Sequence, residues 1–339
     1  MLRVSFTYAI SECVLLICTA GVGWARPLGQ KALQSPIQII QNWPGCSTRN
    51  EQKVPTCLVY NNDQFMSLSS WGFMSEEDDA PDKRRCEFFK IFLDGDTLRE
   101  AHRHGISAAP ASTAEAKQLV RDYLEQIYKH VKQTIQLQAG ISATRWNDMA
   151  IEFIFSVPTT WRTLESINTF KGTISRSGFG KDGPRHSATI ELTESEAASV
   201  ASIKRRNVFF QRGDIFLSVD AGGGTSDFAL MQVTEAGDPF PTLSQLSQVD
   251  GVGIGSTLID RAFLNLVHDR LAQFPDLLEQ LPPDCAESLA RGERFKSMKH
   301  KFGEAVYEAT VYKLPMEGVA HTFQHAGAGI ESGRMLFSK

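Results

Sequence analysis

Residues 215 to 232 constrain the fold more than any other stretch of the chain. Ile215-Phe-Leu-Ser-Val219 has the β-branched and aromatic content of a strand, Asp220 ends it, and Gly222-Gly223-Gly224 turns it. Phe228, Leu230 and Gln232 then resume with the period of two expected of a partner strand. The pattern predicts two antiparallel strands joined by a glycine turn, the first of them buried. Glycines lack a Cβ, so several backbone N–H groups can converge on one point and hold phosphate oxygens without a lysine. Thr225 adds a hydroxyl donor, and Asp220 and Asp227 flank the turn with two carboxylates. A magnesium ion that bridges phosphates takes only one or two protein carboxylates, which makes Asp220 and Asp227 the expected metal ligands. A plain glycine-rich hairpin is the simpler reading of three glycines, and the two acids weigh against it.

Other phosphate signatures are missing. There is no GxxxxGK[ST] segment, and Gly251-Val-Gly253-Ile-Gly255-Ser256 lacks the preceding strand and the third spaced glycine of a dinucleotide site. With 35 basic against 39 acidic residues and a net charge of -4, the chain has no bulk attraction for nucleic acid. An anion must therefore be held by local geometry.

Six cysteines without a CxxC pair fit a reduced, cytoplasmic chain better than a disulfide framework or a zinc site. Arg3 followed by the apolar run Cys13 to Ala25 imitates a secretory signal, interrupted nearby by Glu12; cleavage of residues 1 to 25 would make the protein secreted instead. No later segment approaches the roughly 20 apolar residues of a membrane helix, and no membrane partner is expected.

At 339 residues the chain can bury one large or two moderate cores. Ile37 to Tyr60 alternates short apolar runs with the turn signals Trp43-Pro44-Gly45 and Val54-Pro55-Thr56, which predicts a hairpin; Ser75 to Arg85 is charged and reads as a solvated loop. A helix is predicted from Ser112, with Glu115 reaching back. Its apolar stripe comprises Ala116, Leu119, Val120, Tyr123, Leu124, Ile127, Tyr128, Val131 and Ile135, and Gly140 stops it. Ile151 to Val157 followed by Leu164, Ile167, Phe170 and Ile174 is a strand-then-helix unit. Helices are also predicted over Ile259 to Leu271 and, weakened by Gly292, over Ala286 to Phe302. Alternating strands and helices imply an α/β architecture with a largely buried sheet.

The Asp220 to Asp227 stretch resembles the second phosphate loop of the seventy-kilodalton heat-shock (DnaK-type) chaperones, a family with the actin-like, ribonuclease H-like two-lobe ATPase fold. Further segments resemble the family in the same order, from about Gly21 to the end of the chain. Ile154-Phe-Ser-Val-Pro158 is similar to its Val-Pro strand, and Leu192-Thr-Glu194-Ser-Glu-Ala197-Ala198 to the segment carrying its catalytic-site glutamate. Gly251 to Asp260 resembles its glycine turn, and Glu293-Arg-Phe-Lys296 its ExxK pair. Trp43-Pro44-Gly45 resembles the divergent eukaryotic branch.

The resemblance implies ATP and Mg2+ as cofactors and Glu194, Asp220 and Asp227 as catalytic residues. It implies nucleotide contacts from Gly222, Gly223, Gly224, Thr225, Gly253, Gly255, Glu293 and Lys296, with client proteins or co-chaperones as partners. Glu194 also reads as a first-turn helix residue, Glu293 with Lys296 as an ordinary i,i+3 surface pair, and the Gly251 segment as a turn and N-cap before a helix.

The chain departs from the family where an opening strand and first phosphate loop are expected, since Ile10 to Cys18 contains neither the aspartate nor the glycine. The expected organisation is an atypical segment over 1–36, lobe I over 37–212 and an incomplete lobe II over 213–339. No lysine matches the catalytic one of lobe I; Lys90, in Phe89-Lys90-Ile91-Phe92-Leu93, is expected in a structural strand or helix. Losing one wall of the phosphate clamp weakens hydrolysis more than binding, so turnover is expected to be weak or absent. Two rival readings are a pseudo-ATPase or truncated product acting through protein contacts, and an actin-fold small-molecule kinase.

Overall fold

The computed structural model describes residues 2–6, 19–25, 37–46, 50–61, 67–158 except 79, 81 and 107, then 161, 163–194, 210–223, 226–236, 241–247, 250–252, 254–304 and 311–338. It is a mixed α/β structure that divides into two units, Met1–Ile254 and Gly255–Lys339.

In the first unit a five-stranded sheet runs in the order β10 (His186–Thr193), β9 (Ile151–Val157), β1 (Leu2–Phe6), β3 (Gly23–Ala25), β4 (Gln38–Ile39). β1 is antiparallel to β3 but parallel to β9, which is parallel to β10. An opening strand therefore exists where none was expected. Its alternation of Leu2, Val4 and Phe6 with Arg3 and Ser5 has the strand period, which the signal-like run after it masks. Residues 7–18, where the first phosphate loop would follow, lie outside the described residues.

Besides β1 and β9, the long helix organises this unit. α1 (Gly95–Arg103) precedes α2 (Thr113–Ala139), which has 27 residues and spans about 40 Å. The Ser112 hydroxyl accepts from the Glu115 N–H, and the Glu115 carboxylate accepts from the Ala111 N–H. Gly140 ends the helix at φ 62°, with its own N–H and that of Ile141 returning to the carbonyls of Leu137 and Gln136. The whole predicted stripe is buried. After the short α3 (Ala143–Asp148), the crossover α4 (Leu164–Arg176) joins β9 to β10. Tyr128, Phe153, Phe155, Phe170 and Phe179 meet edge to face in the core, for example Phe155 on Phe179 with centroids 5.0 Å apart. Gly178, at φ 98°, lets the Tyr128 ring lie 2.8 Å from where a Cβ would stand.

The hairpin expected over Ile37 to Tyr60 does not form. β4 pairs with β3, β5 (Lys53–Pro55) pairs with β2 (Thr19–Gly21), and β6 (Cys57–Tyr60) lies between β7 (Leu68–Trp71) and β8 (Arg84–Glu87). The turn signals route the chain between sheets instead: Trp43 is buried against His130 of α2, with ring centroids 5.1 Å apart. Gly45, at φ 81°, lies so close to Met74 that a Cβ would stand 2.6 Å from its backbone nitrogen. The expected solvated loop over Ser75 to Arg85 is likewise partly ordered, by a 3-10 turn over Gly72–Glu77 that buries Ser75 and by β8, whose Arg84 bonds Glu115 at 2.7 Å.

The two strands read on either side of the glycines do pair. β11 (Ile215–Ala221) pairs with β12 (Ser226–Glu235), whose other edge holds β13 (Thr242–Gln245) and β14 (Asp250–Val252). β11 is not the buried strand expected, because Ile215, Leu217 and Val219 are each at least half exposed on one face. Ala229, Met231 and Val233 are buried at alternate positions of β12.

The second unit packs the helices Thr257–Leu271, Pro275–Leu278, Cys285–Arg291 and Glu293–His300 with β15 (Val311–Pro315), β16 (Ile330–Glu331) and β17 (Arg334–Ser338). The single helix expected over Ala286 to Phe302 is broken at Gly292, which adopts φ -61°, ψ 139°. Phe295, just after the break, stacks on Phe263 at 4.0 Å between centroids. Among the described residues no helix is long and apolar enough to cross a membrane.

Candidate functional site

Antiparallel pairing of β11 with β12 sets Asp220 directly opposite Asp227, at the end of the hairpin that carries the glycine turn. Both side chains are buried, 6% and 3% exposed. Directly opposed residues of an antiparallel pair have Cβ atoms about 5 Å apart, and like charges there repel. Gly222 and Gly223 beside them are also buried, while Gly224 and Thr225 lie outside the described residues. β14 sets Gly251 opposite Asp227, and the Ser226 hydroxyl donates to the carbonyl of Ile254 at 2.8 Å. The Gly251 segment is thereby tied to the hairpin.

β10 ends at Thr193 and delivers Glu194, which is 3% exposed. Its carboxylate accepts a hydrogen bond from Lys90 Nζ at 2.8 Å. Lys90 sits in the 3-10 turn Phe89–Leu93 and also lies 5.6 Å from the centre of the Phe170 ring. Burial pushes the Glu194 carboxyl above its usual range and Lys90 pulls it back; Asp227 and Asp220 push it up again through their charge. Three carboxylates thus act within one electrostatic neighbourhood.

Lys90 is the neighbour of Glu194 to which sequence reasoning gave no part in the site. Its place in a structural element was correctly foreseen, yet the turn aims its ammonium at Glu194, 104 residues away. One signal was present: a single cation inside the apolar run Phe88 to Leu93 is costly to bury without an acid.

The remaining predicted residues divide. Gly253 lies outside the described residues, and Gly255 opens the second unit. Ser256 precedes the helix Thr257–Leu271, but its hydroxyl makes no capping hydrogen bond. Glu293 and Lys296 bond to each other at 3.1 Å on an exposed face of the second unit, as an i,i+3 pair does.

Among the described residues no group of three or more His, Cys, Asp or Glu side chains is arranged to hold a metal by itself. Asp220 and Asp227 nonetheless fit a magnesium ion whose other ligands are phosphate oxygens and water, since that ion keeps several waters and takes few protein ligands.

No protein-family model matches the chain, and no curated protein matches it. Among solved structures it is similar to one described as pCBH ParM non-polymerisable quadruple mutant, at 12% identity and a TM-score of 0.34, over 78% of this chain and 67% of that one.

Proposed function

We propose that the chain is an ATP-binding protein of the heat-shock-like, actin-fold kind. In this reading magnesium sits at Asp220 and Asp227, and the phosphates rest on the amides of Gly222 to Thr225. One observation carries the reading: two buried aspartates face each other across the strand pair at a glycine turn, with Glu194 close enough to feel both charges. Burying like charges in register costs stability, and a bound Mg·nucleotide offsets that cost.

Roles follow from position. Asp220 and Asp227 hold the cation and orient the phosphate tail. Glu194 accepts a proton or orients water beside the terminal phosphate, and Lys90 keeps its carboxylate charged and aimed. The mixed sheet, an antiparallel β1-β3-β4 part continued by parallel β9 and β10, supports the actin-like reading. Lobes divided at 212/213, client proteins, co-chaperones and a cytoplasmic setting belong to the same proposal, as does weak turnover.

A ligand that binds only the folded state raises its stability by mass action, about 2.7 kcal/mol at a hundredfold excess over Kd. The test is a thermal melt of the full chain with Mg·ATP, with ATP plus a chelator, and with Mg2+ alone. The expected result is a rise in Tm with Mg·ATP that the chelator removes; an unchanged Tm in all three conditions counts against the proposal.

A further inference from the structure

A cavity of about 60 Å³ lies inside the first unit, beside the turn that carries Lys90. Val120, Leu124, Ile127, Phe155 and Phe170 make most of its wall apolar; Lys90, Ser156, Thr56 and Tyr123 are its polar side chains, and the Tyr123 hydroxyl already donates to the Val54 carbonyl. Ser156 is 4% exposed, and its Oγ has no hydrogen-bond partner among the described residues. A buried hydroxyl left unsatisfied is costly, so such groups are almost always bonded to protein or to ordered water. The ammonium of Lys90 has three donors. Glu194 takes one at 2.8 Å, and another side of the ammonium faces the Phe170 ring.

We propose that this cavity is a hydration site, in which ordered water bridges the Ser156 hydroxyl and the Lys90 ammonium. The space suffices: one water needs about 10–15 Å³ of such volume, and it needs two or more polar partners. Ser156 and Lys90, both lining the cavity, supply them, whereas an all-apolar cavity stays dry. The inference concerns the unliganded chain and does not depend on nucleotide binding.

Crystals of the full chain, native and xenon-pressurised, test it together with Ser156→Ala. The expected native map shows solvent density within hydrogen-bond reach of both Ser156 Oγ and Lys90 Nζ, with xenon excluded. In S156A that density is lost and xenon enters. Xenon filling a water-free wild-type cavity overturns the proposal, as does a direct Ser156 to Lys90 bond that leaves no solvent. If the alanine variant does not fold, the two wild-type data sets decide alone.

Discussion

β9 and β11 are both seven-residue strands rich in β-branched and aromatic side chains, yet they bury opposite things. β9 buries Ile151, Phe153, Phe155 and Val157 between α2, α4 and its parallel neighbours. β11 leaves Ile215 and Leu217 each 57% exposed and buries Asp220 instead. Apolar burial is what stabilises a fold; a strand that inverts it, placing an acid inside opposite a second acid, gives up stability locally. The difference is that the α2–β9 layer joins the large apolar core of the first unit, while the β11–β12 hairpin sets acids where a core strand would set apolar side chains.

Substitutions break or sharpen this contrast. The largest effect is expected from Lys90→Met, which strands the Glu194 carboxylate without its ammonium, at a cost of about 3–5 kcal/mol near neutral pH. Burial already raises the Glu194 carboxyl, so folding takes up a proton there. Its contribution is fully present in acid and is lost as pH rises from the ordinary carboxylate range through the raised value. The Lys90→Met deficit should therefore shrink as pH is lowered, and Glu194→Gln should relieve it; urea melts across pH measure both. A deficit independent of pH would mean that packing, not charge, is what Lys90 supplies.

On the β9 side, Phe153→Ala should cost about 3–5 kcal/mol by emptying the aromatic core, read from the denaturation midpoint without added nucleotide. On the β11 side, Asp220→Asn should raise stability by up to about 1 kcal/mol in the absence of ligand, by removing one of two opposed charges. It should at the same time abolish any stabilisation by Mg·ATP. A loss of stability in the unliganded variant would show that the aspartate is structural. The smallest effect belongs to Leu217→Thr, expected within about 0.5 kcal/mol because the side chain is already exposed; a large loss would mean that the outer face of β11 is covered in solution.

How much of this was legible in the sequence follows the range over which each feature is encoded. α2 could be read because a long 3.6-residue period is bounded by Ser112 and Gly140, both of which act as caps. The hairpin could be read because the glycines and both aspartates are local. The Lys90–Glu194 pair joins two segments whose neighbourhood only the sheet creates, so no spacing announces it. Exposure of β11 was misread because composition reports strand propensity and says nothing of what covers each face. The turn signal at Pro44-Gly45 was real, whereas Pro55 lies within β5 and pairs with Thr19; a turn fixes a change of direction and leaves open which strand is met next.

Calorimetric titration of Mg·ATP into the full chain, with Asp220→Ala as the paired variant, most directly tests whether the opposed acids hold a nucleotide's cation. Saturable heat in the wild type that disappears in the variant and on chelation of magnesium is the predicted result. No heat in either protein, or equal heat in both, would contradict it.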